Sequence, residues 1–567
     1  MENYSPLLRT LLENRGIKTA EEAEKFLNPD YARDLHDPFL LPDMEKAVVR
    51  IFEATEAREK IAVFADYDCD GLPGAAILHD FFRQIGHTNI EFYIPDRNSE
   101  GYGLSIKAVE KLAALGAKVL ITVDLGTGDI QEVATATALG LDVIITDHHL
   151  VPPDGGARAY ALVNPKLGNY PEPMICGAGV AFKLVQALVK KYGEYWKIPE
   201  GFEKWLLDLV AIGTLSDMVP LLGENRALAH FGLKVLRRDR RPGLTELWRQ
   251  ARVDTRFLSE DDIAFTLAPR INAASRMDSP WRAYELLSTS DPLAALSLSD
   301  YLLKINNERK ILVTQIMREA HVTLDRRNIR EVVVIGNPKW RAGVLGLVAG
   351  RLCEELRCPV FVWGGDGESS GELKGSCRSD GSVSVVDLMS SLSDDIFTDF
   401  GGHELSGGFS MTREQVHFLE EALSESFRKI TPSASGTSPL SRGRREGVYD
   451  AKITLGEVNL ETYKQIEQLA PFGVGNPKPI FLFENITVNE IRQFGKGQEH
   501  LEITFLDENG PASPAGKRKI KAISFFSQPE KFIRPPMAGG RINMLAHIEL
   551  SRWNGSKDLR LRIVDII

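Results

Sequence analysis

The sequence predicts an α/β fold with a parallel-sheet lobe, a long connecting helix, a second α/β lobe and a C-terminal β-barrel. Three patterns predict this order. Apolar strands that end in acidic residues alternate with amphipathic helices in the first third of the chain, a single helical period runs through the middle, and alternating strands fill the C-terminal part.

The first lobe is predicted from three apolar runs that each end in acidic residues. They are IAVFADYD at 61–68, VLITVD at 119–124 and LDVIITDHH at 141–149, with helix-like segments at 105–118 and 130–140 between them. Continuous apolar strands separated by amphipathic helices are typical of a parallel sheet covered on both faces. Ligands of such sheets bind beyond the carboxyl ends of the strands, which is where the acidic residues lie.

The rest of the chain is divided by one helix and one linker. Residues 296–327 carry apolar side chains at three- and four-residue spacing, so we expect one long helix between two lobes. Five alternating segments after 480 suit a small, OB-like barrel. The predicted domains are an N-terminal helical entry (1–45), a catalytic domain (46–220), a helical connector (221–330), a second α/β domain (331–430), a flexible linker (431–447) and an OB-like nucleic-acid-binding domain (448–567).

Composition indicates a cytoplasmic globular protein with reduced thiols. Hydrophobic residues make up 43% and charged residues 26% of the 567 residues, and no apolar run is long enough to span a bilayer. The N-terminus shows no signal-peptide pattern. The five cysteines are scattered and form no CxxC pair, which argues against disulfides and structural zinc. The net charge of −10 weighs mildly against nucleic-acid binding, although a local basic groove is compatible with it.

Acidic and histidine residues form four groups along the first lobe. Several carboxylates at one sheet edge repel each other, and a bound cation is the simplest relief. Mixed Asp and His ligation suits manganese or magnesium, and two such ions support phosphoryl displacement. Because LLDLVAIGT before Asp217 is also apolar, we expect all four groups to follow strands of one sheet. The groups are Asp66, Asp68 and Asp70; Asp124; Asp147, His148 and His149; and Asp217.

The order of DYDCDG, VD, DHH and SD resembles the motifs of the DHH phosphoesterase superfamily, and further segments resemble its RecJ family. Among these segments are ICGAGVAFKL, GTLSDMVPLLGENR, APRINAASRM and APFGVGNPKPIF, while GGHELSGGFS resembles the signature of the DHH-associated domain. The resemblance covers nearly the whole chain. It implies a DHH catalytic lobe, a DHH-associated lobe and an OB-fold domain.

The resemblance also implies roles for individual residues. Asp68, Asp70, Asp124, His148 and Asp217 would hold two metal ions, with Asp124 as the bridge and Mn²⁺ preferred over Mg²⁺. His149, Asp66 and Arg276 would act in catalysis, and Arg378, His403, Gly401, Gly402, Gly407 and Gly408 would bind substrate. Departures from the family pattern occur at Phe64, Ala65, Pro73, Leu125, Ser275 and Arg341; none of them removes a predicted metal ligand, so activity is expected.

The implied activity is 5′→3′ hydrolysis of single-stranded DNA to 5′-mononucleotides in DNA repair and recombination. A single-strand-binding protein and a helicase are the partners that the resemblance implies, with no membrane partner. Two alternatives stay open: a phosphodiesterase for short oligonucleotides or cyclic dinucleotides, and a catalytically impaired replication scaffold. The C-terminal domain favours long polymers, and the full set of ligands argues against the scaffold.

Two features of the C-terminal domain allow opposite interpretations. The basic segment KRKIK at 517–521 suits either a phosphate-binding strand face or an ordinary solvated one. Phe525 and Phe526 suit base stacking, but packing into the core is the default expectation for aromatic side chains.

Overall fold

The structure is a computed structural model that describes residues 1–97, 99–365, 371–393, 395–431, 449–495, 497–507, 518–532, 534–553 and 556–567. Almost all of the predicted linker at 431–447, and Lys517 of the basic segment, lie outside the described residues. The chain forms two compact units. The larger unit comprises Asp37–Asp217 and Gly232–Gly443, and the smaller unit comprises Met1–His36, Met218–Phe231 and Arg444–Ile567.

The N-terminal segment is helical because local capping signals are strong. The Ser5 hydroxyl accepts from the Leu8 N–H at 3.2 Å, and Thr19 with Glu22 forms a capping box. Residues 1–36 belong to the smaller unit, where Leu8, Leu11 and Leu12 are buried in its hydrophobic core. The helices of this segment are α1 (Pro6–Glu13), α2 (Ala20–Leu27) and α3 (Tyr31–Asp34), and α4 (Met44–Glu56) follows in the larger unit.

The first lobe of the larger unit contains a parallel five-stranded sheet, as predicted. Its strands follow the spatial order β2-β1-β3-β4-β5, and the apolar residues of β1, β3, β4 and β5 are buried, whereas the edge strand β2 is partly exposed. The elements are β1 (Lys60–Ala65), α5 (Gly71–Gln84), β2 (Ile90–Tyr93), α6 (Ile106–Ala114), β3 (Ala117–Val123), α7 (Ile130–Ala138), β4 (Asp142–Thr146), β5 (Ala161–Val163) and α8 (Gly177–Tyr192).

A helical region follows and ends in the predicted long helix. That helix spans 33 residues, about 50 Å, and begins at Pro292 because the Asp291 carboxylate accepts from the Leu293 N–H at 2.9 Å. A π-helical turn, Ile263–Leu267, precedes α13. The helices are α9 (Leu207–Ser216), α10 (Gly223–Leu236), α11 (Pro242–Ala251), α12 (Glu260–Asp262), α13 (Ala268–Met277), α14 (Trp281–Ser288) and α15 (Pro292–Leu324).

The second lobe of the larger unit is a mixed sheet with the order β6-β7-β8-β10-β9. The β6–β7 pair is parallel, and the β7–β8, β8–β10 and β10–β9 pairs are antiparallel. Its elements are β6 (Val333–Asn337), α16 (Leu345–Leu356), β7 (Val360–Gly364), β8 (Glu372–Arg378), α17 (Val385–Ser390), β9 (Asp399–His403), β10 (Ser406–Thr412) and α18 (Val416–Ile430).

The C-terminal strands close into a barrel, which confirms the fold class. The sheet order is β11-β12-β13-β14-β16-β15, and an additional β12–β15 pairing closes it. All five predicted strand segments are strands, and a short strand precedes them. The elements are β11 (Ala451–Lys452), α19 (Leu460–Glu467), β12 (Phe481–Phe494), β13 (His500–Leu506), β14 (Lys519–Ser524), β15 (Arg541–Trp553) and β16 (Ser556–Ile566).

The cysteines and the helix hydropathy agree with the sequence predictions. All five cysteines are free and buried. No helix in the described part of the chain combines the length and apolarity needed to cross a membrane.

Candidate functional site

Three adjacent strands deliver acidic residues to one edge of the parallel sheet. The backbone N–H groups of Asp66, Asp124 and Asp147 continue the ladder beyond β1, β3 and β4, donating to Val123 (3.1 Å), Thr146 (2.9 Å) and Val163 (3.1 Å), respectively. β1 lies between β2 and β3, so the order reverses there. Such a switch point leaves a crevice at the carboxyl ends of the strands, and the predicted acidic groups surround it.

Asp217 reaches this edge from a helix, so the prediction that it follows a strand is wrong. The apolar run before it forms α9, and Asp217 is the C-terminal cap of that helix. α9 is buried on all sides, so its sequence lacks the polar face that distinguishes a surface helix from a strand. The Ser216 hydroxyl donates to the Cys69 carbonyl at 2.7 Å and fixes the end of α9 against the first acidic motif.

Two aspartates of the first motif are held by helix N-termini. One Asp68 oxygen accepts from the N–H groups of Asp70 (2.7 Å) and Gly71 (3.1 Å). The Asp70 carboxylate accepts from Gly177 (2.6 Å) and Ala178 (2.8 Å) at the start of α8. Free N–H groups and the helix dipole favour a carboxylate at such positions. Burial and the Asp68 charge nevertheless raise the pKa of Asp70 to about 6.

Close approach around Asp124 depends on two glycines. A Cβ on Gly177 would lie 2.5 Å from the Asp124 carboxylate, and a Cβ on Gly213 would lie 2.3 Å from an Asp70 oxygen. Asp124 has a φ of 65°, a left-handed conformation that Asp tolerates better than most residues. A strained backbone at Asp124 and glycine at two neighbouring positions are therefore needed to bring these carboxylates together.

His148 lies among three carboxylates and is held as a neutral imidazole. Its Nε2 is 3.0 Å from Asp124 Oδ1 and 3.8 Å from oxygens of Asp70 and Asp217. Burial lowers the pKa of His148 to about 3, and a neutral ring is the form that binds metal. Lys166 donates to the His148 carbonyl. This lysine gave no signal in the sequence, because it lies in a loop far from every motif.

His149 is oriented by Asp147, which the sequence analysis placed in the acidic groups without an individual role, and is contacted by Tyr102, which the sequence analysis missed. His149 Nδ1 lies 2.7 Å from Asp147 Oδ1, which also accepts from the N–H groups of His148 (2.7 Å) and His149 (3.1 Å). Despite burial, the bond from His149 holds the pKa of Asp147 well below its usual range. The Tyr102 hydroxyl lies within 3.1 Å of the His149 ring and donates to the Asp124 carbonyl at 3.3 Å.

Negative charge is not neutralised within the acidic cluster, which comprises Asp66, Asp68, Asp70, Asp124 and Asp217 with His148 and His149. Buried oxygens of Asp66 and Asp124 form no hydrogen bond with any described residue. Burial, together with the other carboxylates, raises the pKa of both well above the usual range and that of Asp217 to about 8. A divalent cation would satisfy these oxygens, so the residues fit a metal. Three sets place one ligand atom per residue within 4.8 Å: Asp66, Asp68 and Asp124; Asp70, His148 and Asp217; and Asp124, His148 and His149.

The second lobe presents His403 and its glycines toward the same site. The His403 ring stacks on His149 with centroids 6.2 Å apart and planes 10° apart. Gly402 has a φ of 144°, and a Cβ there would lie 2.4 Å from the Ser406 carbonyl, so glycine is structurally required. Gly407 is similarly crowded, with Gly401 O 2.9 Å from the position of a Cβ, whereas a Cβ on Gly401 or Gly408 meets nothing closer than 3.7 Å. Only Gly401 and Gly408 leave room for a ligand to approach the backbone.

Arg276 and Arg378 come together with Arg97, which the sequence analysis missed. Burial, followed by the charges of Arg97, Arg309 and Arg378, lowers the pKa of Arg276 to about 9. Arg97 lies over the Tyr67 ring at 5.1 Å. Arg378 pairs across the sheet with Ser406, which pairs with His403, so the arginine and the histidine share one row. Among the described residues, none of these three arginines (the arginine cluster) pairs with a carboxylate.

The departures from the family pattern lie in supporting positions. Phe64 is fully buried and stacks on Tyr93 at 5.0 Å, and Leu125 is fully buried. Ser275 is buried on α13 with its hydroxyl on the Asn272 carbonyl at 3.3 Å. Arg341 donates to the Met277 carbonyl at 2.5 Å. None of these four residues belongs to the ligand sets described above.

Comparisons with known proteins agree with this geometry. Profiles described as DHH family, N-terminal domain, as DHHA1 domain and as RecJ OB domain match residues 60–214, 328–429 and 449–565, respectively. The single-stranded-DNA-specific exonuclease RecJ of Bacillus subtilis (strain 168) is 34% identical over 99% of this chain and 68% of its own length. The protein of the same name from Escherichia coli (strain K12) is 32% identical over 99% of this chain and 96% of its own length.

Solved structures give the same result. RecJ from Thermus thermophilus in complex with Mn²⁺ superposes with a TM-score of 0.81 at 26% identity and covers 100% of this chain and 76% of its own. A structure of exonuclease RecJ bound to manganese is 30% identical, with a TM-score of 0.61 over 71% of this chain and 97% of its own. With near-complete coverage, three matching domains and the DHH motif residues gathered at one sheet edge, this chain belongs to the RecJ family of the DHH superfamily.

Proposed function

We propose that the chain is a metal-dependent exonuclease that hydrolyses single-stranded DNA from the 5′ end and releases 5′-mononucleotides. The observation that carries the proposal is the set of buried, unpartnered oxygens of Asp66 and Asp124 among other carboxylates. A folded protein retains such uncompensated charge where function requires it. Relatives named as single-stranded-DNA-specific exonucleases support the substrate class.

The proposed ligands divide between two metal positions. Asp70, His148 and Asp217 form one set, and Asp66 and Asp68 form the other with Asp124. Asp124 also forms a set with His148 and His149, so it is the proposed bridge. Two divalent cations there would activate a water and neutralise charge on the attacking and leaving oxygens of the phosphodiester. Mn²⁺ is the proposed preference, with Mg²⁺ as an alternative.

The protein itself orients the groups around the scissile phosphate. Because Asp147 accepts a hydrogen bond from Nδ1 of His149, the ring is fixed with Nε2 3.2 Å from the Tyr102 hydroxyl, and these two groups together would contact a phosphate oxygen. Tyr102 supports the ring from a second side, and His403 stacks against it from the other lobe. A fixed imidazole needs no reorganisation during the reaction, which is how preorganised polar groups lower a barrier.

The arginine cluster explains the proposed polarity. A terminal 5′-phosphate carries about two negative charges, whereas each internal phosphate carries one. None of Arg97, Arg276 and Arg378 forms an ion pair with a described carboxylate, although the charge of Asp68 acts on Arg276, and guanidinium groups bind phosphate through paired hydrogen bonds. A strand whose 5′-phosphate is held there presents its first phosphodiester to the acidic cluster.

The broader role rests on the family resemblance alone. We propose action in DNA repair and recombination, a cytoplasmic location, and cooperation with a single-strand-binding protein and a helicase. Binding of single-stranded DNA by the barrel is a more direct proposal, because OB-folds bind single strands through stacking and basic grooves.

Two single-stranded DNAs of equal length, one labelled at each end, test the function in the presence of Mn²⁺. We expect immediate release of labelled mononucleotide from the 5′ label and gradual shortening of the 3′-labelled strand. A strand with a 5′-hydroxyl should show a higher KM than the same strand with a 5′-phosphate. Immediate release from the 3′ label would contradict the polarity, and cleavage of dinucleotides alone would support a small-substrate phosphodiesterase.

A further inference from the structure

A run of basic side chains continues from the arginine cluster along three helices of the larger unit. Arg270 is on α13, Arg309 and Lys310 are on α15, and Arg351 is on α16. Burial, followed by the charges of Arg351 and Arg270, lowers the pKa of Arg309. Burial and the charges of Arg270 and Arg309 lower the pKa of Lys310 in the same way. The segment that leads into α16 packs against the arginine cluster, since a Cβ on Gly343 would lie 2.3 Å from the Arg276 carbonyl and a Cβ on Gly346 would lie 3.2 Å from Arg378 Nη2. The charge of Arg309 also acts on Arg276, so the basic run (Arg270, Arg309, Lys310 and Arg351) adjoins the arginine cluster.

The basic run has no acidic counterpart. Within the described part of the chain, none of its four side chains forms an ion pair, whereas Lys304 one turn earlier on α15 lies 4.0 Å from Glu308. The Nε of Arg309 is buried and finds no hydrogen-bond partner among the residues that the structure describes. Arg270 donates to the Thr266 carbonyl, which is neutral. Positive charges that approach each other without a carboxylate are destabilising, so an anionic ligand is the expected compensation.

Neutral polar groups between the helices also indicate a bound polar ligand. The Tyr301 hydroxyl donates to Asp278 at the α13–α15 contact, and the charge of Arg270 acts on Lys310. Both amide atoms of the fully buried Asn306 on α15 lack a hydrogen-bond partner among the described residues, and so does the buried Oδ1 of Asn272 on α13. Buried amides without partners are rare and mark a polar ligand or ordered water.

We propose that the basic run holds the additional phosphates of strands that carry a 5′-diphosphate or 5′-triphosphate, so that the site accepts these ends. The inference rests on the proposed function, since it takes the first phosphate to be bound by Arg97, Arg276 and Arg378. A terminal monophosphate of about two charges is already matched by these three arginines. The four further cations exceed what a monophosphate needs, and they suit a chain of phosphates.

The reaction on such a strand requires no additional reactant. Water attacks the phosphorus of the first internal phosphodiester, its oxygen stays on that phosphorus, and the 3′ oxygen of the first nucleoside leaves with a proton. From a 5′-triphosphate strand, the first product is therefore a nucleoside 5′-triphosphate. The remaining strand begins with a 5′-monophosphate, and all later products are mononucleotides.

The test compares strands of identical sequence that carry either a 5′-triphosphate or a 5′-monophosphate. Affinities are measured by fluorescence anisotropy of 3′-labelled strands in EDTA, and first products are identified by chromatography after Mn²⁺ is added. We expect the full-length protein to bind the triphosphate strand about tenfold more tightly, which corresponds to about 1.4 kcal/mol, because the added phosphates form charge-assisted hydrogen bonds. Nucleoside 5′-triphosphate should appear first from that strand.

Single-residue variants test whether the basic run causes the difference in affinity between the two strands. Arg351→Gln changes an exposed residue and Arg309→Gln a partly buried one, and each should reduce the affinity ratio between triphosphate and monophosphate strands severalfold. Arg318→Gln, an exposed arginine elsewhere on α15, is the matched control and should keep the wild-type ratio.

Two results would overturn the proposal. Equal wild-type affinity for both strands, with no nucleoside triphosphate released, would remove the extended site. Equal weakening of both strands by Arg351→Gln would assign the run to internal phosphates instead. Failure of the underlying function would look different, because the 5′-monophosphate strand would then be digested from its 3′ end or not at all.

Discussion

The larger unit contains two clusters of buried aspartates that differ: one is complete, because its charges are matched, and the other is not. Arg241 is buried between two aspartates, with its guanidinium 2.8 Å from Asp80 and 2.6 Å from Asp208. Arg83 pairs with Asp80 at 3.0 Å, so two cations face two anions. The acidic cluster instead gathers five carboxylates around two imidazoles, and buried oxygens of Asp66 and Asp124 accept no hydrogen bond from any described residue.

The difference teaches how to separate structural from functional charge. Arg241 and its aspartates (the arginine triad) connect α11 to α5 and α9, and every charge in the triad is matched. The acidic cluster has an excess of negative charge, which suits cations, and the arginine cluster has an excess of positive charge, which suits phosphates. Incompleteness, rather than burial or charge alone, is therefore the structural sign of a binding site.

Removal of one carboxylate from the acidic cluster should have the largest effect, which is a loss of catalytic activity. We expect Asp124→Asn to reduce hydrolysis of single-stranded DNA roughly a thousandfold or more, because a metal bridge contributes several kcal/mol. Asn also tolerates the φ of 65° at this position. In EDTA, the thermal midpoint should not fall, since a mutually repelling charge is removed.

Asp142→Asn is the matched control for this variant. Asp142 lies at the opposite end of β4 and pairs with Arg50 at 2.6 Å, so its loss should leave turnover near the wild-type value. Stabilisation of the protein by added Mn²⁺ should shrink in Asp124→Asn and persist in Asp142→Asn. Wild-type turnover by Asp124→Asn would contradict the two-metal proposal.

Disrupting the arginine triad should lower the stability of the fold. Arg241→Leu leaves the buried carboxylates of Asp80 and Asp208 without their shared cation, which should destabilise the protein by about 3–5 kcal/mol. Denaturant unfolding followed by circular dichroism measures this loss. Arg249→Leu on the same helix breaks only an exposed pair with Glu246 and should change stability by about 0–1 kcal/mol. Equal stability of the two variants would remove the distinction between the clusters.

The sequence predicted the parts of the site that are set locally. Apolar runs with acidic ends are contiguous in sequence, and parallel pairing of neighbouring strands forces Asp66, Asp124 and Asp147 to one edge. The long helix, the barrel strands and the free cysteines were predictable for the same reason.

The parts that were missed depend on tertiary packing. The run before Asp217 has no polar face, so periodicity does not distinguish a buried helix from a strand. Arg97 lies in a polar loop and joins Arg276 and Arg378 only through the fold. Phe526 is 72% exposed, so the expectation that it packs in the core is wrong, because the chain turns outward there with a φ of 51°.

The barrel of the smaller unit differs from both buried clusters, since its surface charges pair with each other. Lys521 lies 3.3 Å from Glu502, and Arg560 and Arg562 lie 3.3 and 3.2 Å from Glu549. This pairing disfavours the phosphate-binding interpretation of the basic segment around Lys521. Aromatic rings are more available: Phe525 stacks under Arg562 at 4.2 Å, and Phe526 packs edge-on against His500 at 4.8 Å.

The smallest effect is therefore expected from an aromatic change on the barrel. Phe526→Ala should weaken binding of long single strands by about 1–3 kcal/mol, the contribution of one stacked base, while cleavage of a dinucleotide stays near the wild-type rate. Phe418→Ala, which removes a ring that is 66% exposed on α18, is the matched control and should bind long strands like wild type. Deleting the whole barrel is a weaker test, because Leu8 and Leu11 of α1 pack in its core. Unchanged affinity in Phe526→Ala would mean that the barrel binds strands through other groups. Paired surface charge and unpaired buried charge would then not be enough to tell which surfaces of the molecule bind DNA.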